Sequence, residues 1–381
     1  MLLSVNRLKL PRAVRHLQAA ALQARRASEL KDLCRQKGLP LYTFNKQQLV
    51  DQLVERDTLL SAAKPKELSD ETKSRALASG MNVLSLFDGI SCGRLALERA
   101  GIRVNKYFAS ETDPRAIAVS KARWNDIEQL GDVKDVSSHD LPPIDLILAG
   151  SPCQGFSQAG NEMGLDDPRS RLFFEFIRLR RELAPPFWLL ENVGMKKAFR
   201  ARLNEECGVL SMEINSSLVS AQNRPRLYWF PWDVALPDDK GLVLQDVLEP
   251  PATADQAMLT KDGKSYCILA SYVSHRTQKS LEHCILTRKQ RGYGGMNTHV
   301  LRGSSRSAEI VPEEWRGMTP VEVERLQTLP DGYTDGAGLS DNQRYKALGN
   351  GWTVDVIVHI LQAMPHITSF LSDRPAGRGA V

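Results

Sequence analysis

Cys153 stands in Ser151-Pro152-Cys153-Gln154-Gly155-Phe156, just after the run Ile144 to Ala149, which is apolar apart from Asp145. That run has the length of a buried strand, and Gly150-Ser151-Pro152 breaks it into a loop. A cysteine just past the carboxyl end of an α/β strand sits where open parallel sheets place their ligands. Pro152 fixes one backbone angle before the thiol, and Gly155 lets the chain turn sharply after it. A structural cysteine behaves as a small hydrophobe, yet nothing apolar flanks this one on its N-terminal side. Cys153 therefore reads as a nucleophile.

Two further segments carry charge that could serve a reaction. Phe187 to Leu190 reads as a strand delivering Glu191-Asn192-Val193. Gln222-Asn223-Arg224-Pro225-Arg226-Leu227-Tyr228 leads into another, and alternation lets Arg224 and Arg226 share one face of extended chain. Singly, each arginine could be a surface ion pair and Glu191 a helix cap. The set does not read that way.

The elements that must position these groups begin at Met81, where strands and helices start to alternate. Val83 to Phe87 reads as a strand, and Asp88-Gly89-Ile90-Ser91-Cys92-Gly93 as a glycine-bearing turn into a helix near Arg94. Glu111 follows a second strand, Tyr107 to Ser110, at the separation where an acid reaches ribose hydroxyls. Asp132 would end the third strand and could accept from an adenine amino group. The turn lacks GxGxxG and no lysine follows it, which disfavours a diphosphate. Acids suit a cationic nucleoside such as S-adenosylmethionine. A helix from about Ser170 ends at Pro185-Pro186. The pattern predicts an α/β fold with a doubly wound, mostly parallel sheet.

Composition sets the frame. The 381 residues are 42% hydrophobic and 25% charged, enough for one large catalytic domain with an appendage. No run of 18 apolar residues exists, so no membrane span is expected. Six cysteines form no CxxC pair and no Cys/His ligand spacing, so neither a metal site nor a disulfide framework is expected. The net charge of +5 is uneven, because residues 1–80 hold 15 Lys+Arg against 8 Asp+Glu. Residues 271–308 form a second basic patch. Two such segments suggest a polyanionic partner. Residues 1–28 are Arg-rich without acids, like an organellar transit segment, but read more simply as a basic helix. Asn45 and Gln48 can form a capping box for a helix carrying Leu49, Val50, Leu53 and Val54. Residues 58–80, polar and small around Pro65, read as a linker.

In order, the chain shows FDGISCG, SPCQGFS, ENV, QNRPRLY and LGNGW. These resemble the ordered motifs of the C5-cytosine DNA methyltransferases and span about 81–365. VLSLFDGIS, RLFFEFIRL and FWLLENV look most like the de novo branch, without its zinc-bearing module. The residues after Cys153 are closer to phage and bacterial enzymes. LKDLCRQKGLPLYTFNKQQLVDQL resembles a SAP domain, a small DNA-associated helical module. The expected organisation is a basic helical module over 1–57, SAP-like from about 29, then the linker. A methyltransferase domain over 81–371 would contain a recognition region at about 233–317, with a tail over 372–381.

The resemblance implies that Cys153 adds to C6 of a flipped-out cytosine in double-stranded DNA, with S-adenosylmethionine as co-substrate. Glu191 would act at N3 and Arg226 at O2, while Arg224 would support the thiolate loop or a phosphate. Phe87 would stack on adenine in the turn of Asp88 and Gly89, with Glu111 on the ribose and Asp132 and Val133 at the adenine edge. Trp352, beside Asn350, would pack near the methionine end. Arg288 resembles an arginine that reads guanine, whose O6 and N7 match its fork, or else holds a phosphate. Lys289 and Arg291 would hold phosphates. The paired Phe173 and Phe174 resemble a subunit contact and imply self-association. A tRNA cytosine-C5 methyltransferase and a silent DNA-binding regulator are the alternatives. The tRNA branch's Cys-Phe-Thr is missing, and an intact Cys153, Glu191 and Arg226 argue against silence. The expected location is cytoplasmic, or nuclear or organellar in a eukaryote.

Overall fold

The computed structural model describes residues 12–39, 45–63, 69–152, 172–250, 260, 262–270, 284–286 and 315–365. Seven strands form the main sheet: β1 Met81–Leu86, β2 Val104–Ser110, β3 Ile127–Gln129, β4 Leu146–Gly150, β5 Phe187–Val193, β6 Met212–Asn215 and β7 Pro225–Trp229. Their order is β3-β2-β1-β4-β5-β7-β6. Pairing is parallel from β3 through β5, and β7 is antiparallel to both β5 and β6. The strand order reverses between β1 and β4, so the carboxyl ends of the parallel strands open onto a crevice there. β7 runs the other way, which brings its first residues to that crevice. Arg224 and Arg226 precede or begin their strand for this reason.

The helices are α1 Arg12–Gln23, α2 Ala27–Gln36, α3 Lys46–Ala63, α4 Asp70–Ser79, α5 Cys92–Arg99, α6 Pro114–Arg123, α7 Leu172–Leu183, α8 Lys197–Cys207, α9 Pro320–Leu326, α10 Asp341–Asn350 and α11 Val354–Gln362. Successive strand residues point to opposite faces. Val83, Leu146 and Leu148 enter a core with α5 and α11, whereas Leu84, Ile147 and Leu190 enter one with α7 and α8. Both faces are covered, which is why the strands read as near-continuous apolar runs. A separate two-stranded ladder pairs β8 Cys284–Leu286 with β9 Trp315–Gly317.

The N-terminal helices pack on this core. The capping box forms as expected: Gln48 N donates to Asn45 Oδ1 and Asn45 N to Gln48 Oε1, both at 2.9 Å. Leu30, Cys34, Leu49, Val50 and Leu53 make a small core of their own. Gly38 ends α2 at φ +58°, and its carbonyl accepts from Glu213 N on edge strand β6 at 2.9 Å. A Cβ on Gly38 would lie 2.5 Å from Met212 Cγ, so only glycine permits this docking. Buried Arg56 adds an ion pair to Asp233 at 2.6 Å. The contact covers part of an edge strand that would otherwise be open to pairing.

Four expectations change. The described residues of 58–80 are largely helical: α3 continues to Ala63, and Ser69 caps α4 by accepting from Thr72 N at 3.2 Å. α4 lacks a long apolar stripe, and a bidentate pair from Arg75 to buried Asp145 holds it instead. Within the expected recognition region, Val234, Leu244, Val247, Leu248 and Ile268 belong to the main core. β3 stops at Gln129, and Asp132 caps a 3-10 turn by accepting from Lys134 N at 3.1 Å. Phe173 is fully buried and offers no surface to a second subunit. α7 packs against the sheet and also against the turns Val133–Asp135 and Ser138–Asp140, so its apolar girdle is wider than one stripe. Phe174 is half-buried, edge-on to Phe173 at 5.3 Å.

Candidate active site

A cavity of about 490 Å³ lies across the strand ends, within the roughly 300–1,000 Å³ of small-molecule sites. At β1 and β2 it is lined by Phe87, Gly89, Ile90 and Glu111, and beyond them by Asp132 and Val133. Backbone strain shapes this part. Phe87 (φ +58°), Gly89 (φ +59°) and Ser91 (φ +61°) are all left-handed, a conformation costing non-glycine residues roughly 1–2 kcal/mol each. Glu111 braces the turn, accepting from Gly89 N at 2.8 Å and from Thr112 N and Asp113 N at 2.7 and 2.8 Å. Asp88, expected at the ligand, instead lies buried beneath the turn and outside the cavity lining. It accepts from Tyr107 OH at 2.8 Å and from Ser91 Oγ, and burial raises its carboxyl to about 6. The alternating left-handed residues put Phe87 toward the cavity and turn Asp88 inward.

At β4, β5 and β7 the lining changes to Gly150, Ser151, Pro152, Glu191, Asn192 and Arg226. Glu191 is buried, and burial raises its pKa against the opposing pull of Arg226, Arg224 and Trp352. Arg226 Nε lies 3.2 Å from its Oε1, and Trp352 Nε1 donates to its Oε2 at 3.0 Å. Trp352 was expected near the methionine end; its indole is bonded to this acid. The close approach requires Gly150, where a Cβ would lie 2.8 Å from Trp352 Nε1. Asn192 Nδ2 donates to Ser151 O at 3.3 Å and to Ser151 Oγ at 3.0 Å. The amide thereby tethers the chain that leads into Cys153, a role the ENV tripeptide did not reveal.

Arg224, expected to support the thiolate loop or a phosphate, is turned into the protein and meets backbone carbonyls. It is 4% exposed, and its guanidinium donates to Ile268 O at 2.7 Å and to Gly349 O and Gly351 O at 2.9 Å. Cys267 went unnoticed in the sequence, lacking any motif; its Sγ lies 3.4 Å from Arg224 Nη1 and 3.8 Å from Arg226 Nη2. Asn350 and Lys346 of α10 complete the wall. Cys153, Arg288, Lys289 and Arg291 lie outside the described residues. Among the described residues no group of three or more His, Cys, Asp or Glu could hold a metal, and no helix is long and apolar enough to cross a membrane.

The cavity lining combines an aromatic ring at Phe87, the carboxyl groups of Glu111 and Asp132, and no lysine in the β1 turn. With the strand order and its antiparallel β6–β7 end, these features define the S-adenosylmethionine-dependent methyltransferase fold. Residues 81–207 and 245–366 match the C-5 cytosine-specific DNA methylase family, and the chain belongs to that family. It is 30% identical over 310 residues to type II methyltransferase M1.ScrFI of Lactococcus lactis subsp. cremoris, covering 74% of this chain and 77% of that protein. Type II methyltransferase M.NlaX of Neisseria lactamica is 29% identical over 321 residues, covering 77% of this chain and 98% of that protein. Among solved structures, Entamoeba histolytica methyltransferase EhMeth superposes with a TM-score of 0.58 at 18% identity, over 75% of this chain and 98% of that one. That likeness is one of fold.

Proposed function

We propose that this enzyme methylates C5 of cytosine in double-stranded DNA, using Cys153 as nucleophile on a base turned out of the helix. The observation that carries the reading is Glu191, a buried acid held by Arg226 and Trp352 in the same cavity as the nucleoside-binding turn. S-adenosylmethionine would supply the electrophilic methyl group, held by Phe87, Glu111, Asp132 and Val133. Cytosine C5 is too weak a nucleophile unaided. Addition of the Cys153 thiolate at C6 makes C5 enamine-like and places negative charge on the ring. A carboxyl whose pKa is raised by burial retains a proton to share with N3, which offsets that charge. Arg226 lies beside Glu191 and supplies a donor for O2. Loss of the C5 proton after methyl transfer then expels Cys153 by elimination. The exposed Arg25, between α1 and α2, and Lys31 and Arg35 of α2 would add phosphate contacts without sequence preference.

The test is bisulfite sequencing of plasmid DNA from cells expressing the protein, with Cys153→Ser as control. A duplex containing 5-fluorocytosine should be trapped covalently by the wild type, because its C5 fluorine cannot be eliminated. Unmethylated plasmid and no trapped adduct would overturn the reading.

A further inference from the structure

We infer that Arg224 is a positioning residue that couples the cofactor side of the cavity to residues 266–270, within the span where the family resemblance places DNA reading. The inference rests on the function proposed above. One guanidinium joins two segments far apart in sequence. Its Nη2 holds the carbonyls of Gly349, in the last turn of α10 at the cavity wall, and of Gly351, which caps that helix. Its Nη1 holds the carbonyl of Ile268, inside the span 233–317 in which the family resemblance places sequence recognition. A buried cation is costly unless hydrogen-bonded, and here backbone carbonyls meet that need, so both segments must stay in register around it.

The two segments also touch directly. A Cβ on Gly349 would lie 2.4 Å from Ala270 N and from the Leu269 carbonyl carbon. Gln222 Oε1 accepts from Ile268 N at 2.8 Å, which fixes the same segment from the other side. What the latch holds in place faces outward. Tyr266 is 40% and Leu269 55% exposed, the only large hydrophobics so exposed among the described residues. They flank Cys267, whose thiol faces Arg226. A shift of Gly349 or Gly351 at the cofactor side of the cavity would therefore be transmitted through Arg224 to residues 267–270. Lysine cannot replace it, because a single ammonium lacks the planar fork that reaches both segments.

The test measures linkage. A labelled duplex carrying the cytosine mapped by bisulfite sequencing is titrated by fluorescence anisotropy with and without S-adenosylhomocysteine. The wild type should bind DNA at least about fivefold more tightly with the nucleoside, and reciprocity requires the same factor for the nucleoside in the presence of DNA. Arg224→Lys should bring that factor below about twofold. Gly349→Ala, which leaves Arg224 intact but forces the segments apart, should do the same and carries the test if Arg224→Lys fails to fold. A purely structural arginine would lower the melting temperature and leave the factor unchanged, overturning the inference. A wild type that binds both ligands without linkage would overturn it too. A wild type that binds neither overturns the proposed function instead.

Discussion

Glu111 and Glu191 are the same residue type at the carboxyl ends of two parallel strands lining one cavity, and the fold treats them differently. Glu111 is half-buried and meets three backbone N–H groups. Its surroundings hold a loop still. Glu191 is buried and meets one indole N–H and one guanidinium, while desolvation raises its pKa. Its burial favours the protonated form more than water would, against the pull of the two arginines and the indole. An acid bonded by backbone amides is suited to shaping and binding, whereas an acid withdrawn from water beside a cation is suited to chemistry. The end proposed for the nucleoside is held by backbone amides, and the end proposed for the base by side chains.

That division is tested most severely at the nucleophile. Cys153→Ser should reduce methyl transfer at least about a thousandfold, since loss of a nucleophile is among the largest single effects in enzymes. S-adenosylhomocysteine binding should stay within about twofold, because the nucleoside contacts lie on β1 and β2. Transfer of a labelled methyl group to plasmid, read beside calorimetry, separates the two. Equal loss of both would mean that the ends of the cavity are not independent.

Glu191→Gln should act next most strongly, lowering kcat about 10²- to 10⁴-fold as expected for a proton-donating group. Nucleoside affinity should be nearly unchanged. The wild-type rate should fall on the alkaline side of Glu191's raised pKa, as the carboxyl loses its proton, and that limb should vanish in the glutamine variant. A persistent limb would assign it to another group.

What is local in sequence was legible. The apolar run of β4 and its break at Gly150 occupy seven residues, and Asn45 and Gln48 cap their helix across three. The partners are another matter. Trp352 meets Glu191 from 161 positions away, and Arg75 meets Asp145 from 70, contacts set by topology that no local pattern encodes. Arg224 and Arg226 were paired correctly by alternation, yet their surroundings separate them: one meets carbonyls, the other a carboxylate. Asp88 was misplaced for a subtler reason. A turn with alternating left-handed residues decides which side chains face the ligand, and a non-glycine such as Phe87 at φ +58° gives no signal of that in sequence.

Gly150→Ala sharpens the comparison by disturbing only the base end. The new methyl would lie 2.8 Å from Trp352 Nε1, so the indole must move and its hydrogen bond to Glu191 must lengthen. A displacement of this kind can cost up to about a hundredfold in rate, and a loss of tenfold or more in kcat is expected. Steady-state kinetics at saturating nucleoside would show it as a kcat effect. A variant altered only in KM for the nucleoside would place the indole at the other end.

The smallest effect belongs to Asp88, beneath the nucleoside end. Asp88→Asn keeps the shape but weakens the hold on Ser91 and Tyr107, and a buried hydrogen bond is worth about 0.5–1.5 kcal/mol. S-adenosylhomocysteine should then bind about three- to tenfold more weakly, with kcat at saturation little changed. The pH dependence supplies an independent sign. Burial raises this carboxyl from 3.8 to about 6 in the folded protein, so the folded state retains a proton that the unfolded state has lost. Asp88's contribution to stability therefore falls as pH rises from 3.8 to about 6, by about 3 kcal/mol at 1.36 kcal/mol per unit. Above that window the penalty is complete, and below it both states are protonated. Asparagine has no proton to lose, so denaturant melts of the two proteins should converge or cross as pH rises through the window. Parallel curves would mean that Asp88 stays solvated and that the turn is held by Glu111 alone.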